Sequence, residues 1–148
     1  MKFDMVDRVL ELAPERAVTL KQVTAAEEYL QDHFPGFPVL PGVLMLEAMV
    51  QAARRMLERF GPPGLSGPQG RRAVIARVRA LKYGYLVKPG CTLRIEVARL
   101  KDPGDGTVEF KGEVYAIEPR VAPAQPAIAA SGRITLHAPA ASSTLAPP

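Results

Sequence analysis

His33 and Glu47 are the only nearby pair in the sequence that sets a side chain titrating near neutrality against a carboxylate among apolar neighbours. Together they could move protons as a general base and a general acid. Each also has a plainer reading. A lone histidine in a turn is usually structural or solvated. Glu47, Gln51, Arg54 and Glu58 recur at i, i+4, i+7 and i+11, which makes one polar stripe along a helix and would let Glu47 simply begin a solvated face. Against that, Val43 to Met49 is otherwise apolar, so an ionised carboxylate there is costly unless something pairs with it or protonates it.

Between the two residues stand Pro35, Pro38 and Pro41, which forbid a continuous helix that would align them. Any meeting is made by tertiary or quaternary structure, and the sequence does not say which. Gly42 adds a third element. It stands at an expected helix start, where unpaired backbone N–H groups and the positive end of the dipole can hold an oxyanion, and it permits close backbone approach by a ligand. Histidine, carboxylate and amide donors match the needs of an elimination next to a thioester: a base for the α-proton, a hole for the enolate oxygen and an acid for the departing hydroxyl.

The elements that must position these groups follow from the hydrophobic pattern. Met5 to Leu12 and Ala17 to Val23, separated by Pro14-Glu15, read as a hairpin. Thr24 to Leu30 carries a capping-box spacing, Thr24 with Glu27, and is expected to open a short helix. Asp32 to Gly42 is a shaped loop. Val43 to Phe60 contains neither proline nor glycine and is expected to form one long helix, buried on most sides over its first half. Gly61 to Gly70 is expected to be a flexible connection.

Three strands follow, at Ala73 to Lys82, Thr92 to Leu100 and Val108 to Ile117, the last two joined by the turn Asp102 to Gly106. After a proline-rich excursion, Ile128 to Leu136 is a last strand with Ile128, Ala130, Ile134 and Leu136 on one face. Residues 1–137 are expected to make a single domain and residues 138–148 a disordered tail. The pattern is α+β: an antiparallel sheet with one face to cover, and one helix long and apolar enough to cover it.

Composition narrows the classes. At 148 residues, 47% hydrophobic and 23% charged, the chain suits one globular core. Its apolar run from Phe37 to Ala53 is interrupted by Pro38, Pro41, Glu47 and Gln51, so no membrane span is expected, and Asp4 and Asp7 stand where a secretory signal needs an uninterrupted apolar region, so a cytoplasmic location is expected. One cysteine, Cys91, and two histidines make no zinc spacing, so no metal is expected, and the redox-neutral elimination outlined above calls for no redox cofactor. The charge of +4 suits an acidic partner or a phosphate-bearing ligand, while four tyrosines, five phenylalanines and no RNA-binding motif argue against nucleic acid.

The run His33-Phe34-Pro35-Gly36-Phe37-Pro38-Val39-Leu40-Pro41-Gly42-Val43-Leu44-Met45-Leu46-Glu47-Ala48-Met49-Val50-Gln51-Ala52 closely resembles the signature of bacterial 3-hydroxyacyl-carrier-protein dehydratases. The resemblance reaches upstream to Val6-Asp7-Arg8-Val9 and downstream through Lys88-Pro89-Gly90, covering most of residues 4–137. It implies a hot-dog fold, a homodimer that can assemble into hexamers as a trimer of dimers, and sites at the dimer interface where histidine of one protomer faces glutamate of the other. By position it implies His33 as base, Glu47 as acid, the Gly42 amide as the group polarising the thioester carbonyl, and Gln51 as the residue orienting Glu47.

Phe34, Pro41, Val43 and Tyr83 are implied to border the substrate, which would arrive on the phosphopantetheine arm of acyl carrier protein. Tyr85 is a second candidate, with Tyr83, for gating an acyl tunnel. Arg54, Arg55, Arg71, Arg72, Arg77, Arg79, Lys82 and Lys88 could dock the acidic carrier. A relative that also isomerises the double bond has aspartate at the position of Glu47, so glutamate implies dehydration alone. Three departures from the family pattern stand out: no short helical segment ahead of Phe3, the stretch Lys82 to Val87 in place of a more basic one, and the excursion Arg120 to Pro126. A hot-dog thioesterase and a non-catalytic acyl or carrier-protein binder are the alternative readings.

Overall fold

The computed structural model describes residues 3–119 and 126–140, so the tail beyond residue 140 and nearly all of the Arg120 to Pro126 excursion lie outside the described residues. Six strands form one antiparallel sheet: β1 (Arg8–Leu12), β2 (Arg16–Gln22), β3 (Val74–Tyr83), β4 (Thr92–Lys101), β5 (Thr107–Ile117) and β6 (Ala127–His137), in the order β1-β2-β4-β5-β6-β3. Helix α1 (Gly42–Phe60) runs 19 residues and lies on one face of that sheet. None of the helices in the described residues is long and apolar enough to cross a membrane.

The strand pattern explains the packing. In β4, Leu93, Ile95 and Val97 are buried and alternate with half-exposed Thr92, Arg94 and Glu96, as a period-2 strand with one covered face requires. Met45, Ala48, Met49, Ala52, Met56 and Leu57 are the buried stripe of α1 and join the same core as Ile95, Phe110, Val114, Ile134 and Leu136. How deeply the helix can sit is set at Gly112 of β5: a Cβ built there would lie 2.2 Å from Met49 Sδ and 2.9 Å from its Cγ. Gly112→Val is therefore expected to lower stability by about 1–3 kcal/mol in thermal or urea unfolding. The double variant Gly112→Val/Met49→Ala is expected to recover part of the loss.

Four local expectations give way to tertiary structure. The capping box does not form, and only a short 3-10 turn, Glu28–Leu30, is present without a side-chain cap. Glu27 is used elsewhere, its Oε1 lying 3.0 Å from Nζ of Lys21, a buried cation that needs a partner. The connection after α1 holds a second helix, α2 (Gly67–Arg71), started at Ser66 with Pro68 in its first turn.

On β6, register slips between the Val114–Ala130 and Tyr115–Ile128 pairs. Ala129 and Ala130 are both buried at this bulge, and Ile128 is turned outward. Lastly, the first turns of α1 are more open than their composition suggests: Val43 is 67% exposed and Leu44 and Leu46 are only partly covered.

Candidate active site

His33 sits in the loop between the 3-10 turn and α1. The loop is closed on itself, with Val39 N donating to His33 O at 2.8 Å, and it is tied to the β3–β4 connection by Leu40 N donating to Val87 O at 2.8 Å. The imidazole Nδ1 lies 2.8 Å from Val39 O. A carbonyl oxygen only accepts, so Nδ1 carries the hydrogen in that bond and the neutral ring keeps its lone pair on Nε2. The ring stacks on Phe34 at 4.3 Å between centroids. Val39 and Leu40 are buried, so the histidine is fixed by backbone that cannot swing freely.

Glu47 stands in the second turn of α1, half-buried, within the polar stripe the sequence shows. Its Oε1 accepts from Gln51 Nε2 at 2.9 Å and from Arg54 Nη1 at 3.2 Å. Gln51 in turn donates to Phe3 O at 2.8 Å and accepts from Met5 N at 2.8 Å, so the segment ahead of β1 is strapped across the helix at that point. Arg54 Nε donates to Ala73 O at 2.7 Å. The stripe is thus partly covered and internally bonded, rather than the fully solvated face of the plainer reading. The i+7 spacing from Glu47 is the sequence signal for this contact of Arg54.

The start of α1 is shaped by Tyr83, the last residue of β3. A Cβ on Gly42 would meet Tyr83 ring carbons at 2.9 to 3.2 Å, so glycine is what lets the ring lie against the first turn. Pro41 precedes it with ψ 132, an extended geometry that aims the chain into the helix, and Leu44 N returns to Pro41 O at 2.9 Å. Among the described residues the amides of Gly42 and Val43 have no hydrogen-bond partner within the chain, as the first turn of a helix requires. Burial pushes the Tyr83 phenol above its usual range, so its hydroxyl remains a donor at neutral pH. Tyr85 points elsewhere: its hydroxyl donates to Glu118, and that bond, with burial, pushes the phenol up to about 12. Tyr83 alone of the pair lies against the helix start.

Within one chain, no hydrogen bond or ion pair among the described residues joins His33 to Glu47; each is held by its own partners. The chain presents Phe34 (54% exposed), Val43 and Tyr83 (48% exposed) around these groups. Among the basic residues, Arg71 pairs with Glu58, Arg79 with Glu109 at 2.7 Å, and Lys88 Nζ lies 4.9 Å over the Phe37 ring. Arg55, Arg72, Arg77 and Lys82 are not paired with a carboxylate among the described residues. Among the described residues no three His, Cys, Asp or Glu side chains gather as a metal ion would require.

Comparison with known proteins places the chain in a family. The model of the FabA-like domain matches residues 1–125. A protein of Thermus thermophilus described as 3-hydroxyacyl-[acyl-carrier-protein] dehydratase FabZ is 50% identical over 94 residues, which is 64% of this chain and 63% of that one. The match therefore spans just under two thirds of that relative's length. FabZ proteins of Ruminiclostridium cellulolyticum and Bacillus pumilus are 36% and 37% identical over 76% and 80% of this chain and 84% and 88% of theirs.

Among solved structures, the dehydratase heterocomplex ApeI:P of Xenorhabdus doucetiae is similar at a TM-score of 0.59 and 19% identity, covering 93% of this chain and 99% of that one. Zebra fish thioesterase superfamily member 2 is similar at 0.61 and 19%, covering 89% and 80%. At those identities the likeness establishes the fold alone: the antiparallel sheet wrapped around a central helix, the hot-dog fold. With the domain model matched from residue 1 to 125 and FabZ relatives aligned over most of their length, the chain belongs to the FabA-like family of hot-dog proteins and is closely related to its FabZ-type members.

Proposed function

We propose that the protein catalyses reversible dehydration of (3R)-hydroxyacyl thioesters of acyl carrier protein to trans-2-enoyl thioesters, in fatty acid or related lipid synthesis. The observation that carries the reading is the state of the two reactive groups. The His33 ring has its Nδ1 hydrogen committed to Val39 O, which leaves Nε2 as the basic nitrogen, and Glu47 has its Oε1 held by two donors. Nε2 takes the α-proton and the electron pair forms the double bond as the bond to the hydroxyl breaks. Glu47 supplies the proton that lets the hydroxyl leave as water. The imidazolium and carboxylate then exchange a proton to reset. The Gly42 amide is the donor that polarises the thioester carbonyl while enolate charge develops.

The exposed apolar groups support a homodimer, which this reading requires. Strand β3 is a ten-residue edge paired, among the described residues, only with β6, and it exposes Val74 and Ile75, a combination a monomer seldom leaves uncovered. Val43 and Phe34 are exposed as well. Pairing two copies would cover these groups and could set His33 of one copy against Glu47 of the other, with hexamers as a further step. Cations such as Arg77 and Lys82 on β3, and Lys88 beside the His33 loop, suit an acidic carrier.

Hydration of a crotonyl thioester tests the reaction class. The enoyl absorbance should fall with no release of free thiol, and the product should be the 3-hydroxyacyl thioester. Stoichiometric thiol release would make the protein a thioesterase, and saturable binding without turnover would make it a binder. With glutamate at position 47, no 3-enoyl isomer is expected among the products.

A further inference from the structure

We propose that Arg54 is a positioning residue for Glu47. It secures Oε1, presents Oε2 as the oxygen that exchanges the proton, and balances the charge left on the carboxylate once the proton has gone. The inference rests on the reading of Glu47 as the acid. Two independent observations converge on it. First, both donors that reach Glu47, Gln51 Nε2 and Arg54 Nη1, go to Oε1, and among the described residues no hydrogen bond engages Oε2. Second, the guanidinium is located by something other than the carboxylate: Arg54 Nε is held by the carbonyl of Ala73, a fully buried residue immediately ahead of β3. The cation would keep its place even while Glu47 is protonated.

A stability role is the competing explanation, and the exposures weigh against it. The Arg54 and Glu47 side chains are 26% and 31% exposed, so solvent still screens the pair and its contribution to folding is modest. What such a pair can do is fix a geometry. A freely rotating carboxyl group would present its proton from either oxygen and in several directions; a carboxyl with one oxygen bracketed by two donors presents it from one. Because the guanidinium is pre-placed, it also opposes the negative charge that develops on Glu47 as the proton leaves, at no cost of reorganisation.

The test uses the full-length protein with Arg54→Ala and Arg54→Lys in the crotonyl-thioester hydration assay. Arg54→Ala is expected to lower kcat about 10- to 100-fold with KM within about twofold. Oligomeric state should be unchanged, loss of the bond to Ala73 O should lower the melting temperature without unfolding the chain at assay temperature, and Arg54→Lys should fall between Arg54→Ala and the wild type in kcat. An open groove of about 350 Å³ lined by Phe3, Asp4, Gln51, Arg54, Glu58 and Arg71 borders the site and gives a small cation room to enter. Millimolar guanidinium chloride should therefore restore part of the kcat of Arg54→Ala and none of that of Glu47→Gln.

Wild-type kcat in Arg54→Ala, a loss confined to KM, or a loss that follows unfolding and is not rescued in either variant would overturn the proposal. If Arg54→Ala does not fold, the split between kcat and KM in Arg54→Lys decides. If Glu47→Gln turns over normally, the reading of Glu47 itself falls. If Glu47→Gln is inactive and Arg54→Ala is not impaired, only the role of Arg54 falls.

Discussion

His33→Ala and Glu47→Gln are each expected to lower turnover of a hydroxyacyl thioester about 10²- to 10⁴-fold, the usual worth of a positioned acid or base. Neither change should unfold the chain. His33 is half-exposed, and its loop is closed by backbone bonds, Val39 N to His33 O and Leu40 N to Val87 O, that survive loss of the ring. Glu47→Gln keeps the shape of the side chain, and the amide oxygen can still accept from Gln51 and Arg54. The loss should thus appear in kcat, with circular dichroism and oligomer mass unchanged. Near-normal rates in both variants would leave the proposed elimination without its proton carriers.

Mixing those two inactive variants is expected to bring activity back. If the site is built from His33 of one subunit and Glu47 of its partner, a dimer carrying one copy of each variant holds one site with both groups intact and one with neither. Random exchange makes half of the dimers mixed, so recovered activity should approach about a quarter of the wild-type value. Recovery should require subunit exchange, brought about by brief mild denaturation or co-expression. Persistent inactivity of a mixture shown by mass to contain mixed dimers would mean that each chain supplies its own complete site.

Most of the scaffold could be read from the residues because its determinants are local. The alternation in Thr92 to Leu100 and Val108 to Ile117, and the proline-free apolar run after Gly42, each fix an element without reference to the remainder. Where the local signal does not decide, a tertiary contact or a bulge does. Glu27 was free to cap a helix in the sequence, yet Lys21, buried on the neighbouring strand, takes its carboxylate. Ile128 kept the right parity for the core until a bulge on β6 turned it out. Arg54 looked like a surface cation because nothing in its neighbourhood announces the carbonyl of Ala73, nineteen positions away. The candidate site divides the same way: the identities of His33, Gly42, Glu47 and Gln51 are visible in the sequence, whereas the bonds that tie Gln51 to Phe3 and Met5, and Arg54 to Ala73, join residues far apart along the chain.

On the proposed role of Glu47, the Gln51 amide, bonded at once to Glu47, Phe3 O and Met5 N, gives the opening residues a mechanical stake in the chemistry. Whatever pulls on that ribbon, such as a bulky fusion, a proteolytic nick or a neighbouring molecule, tugs on the carboxylate through a single amide. Its effect should register as altered rate before any loss of folding.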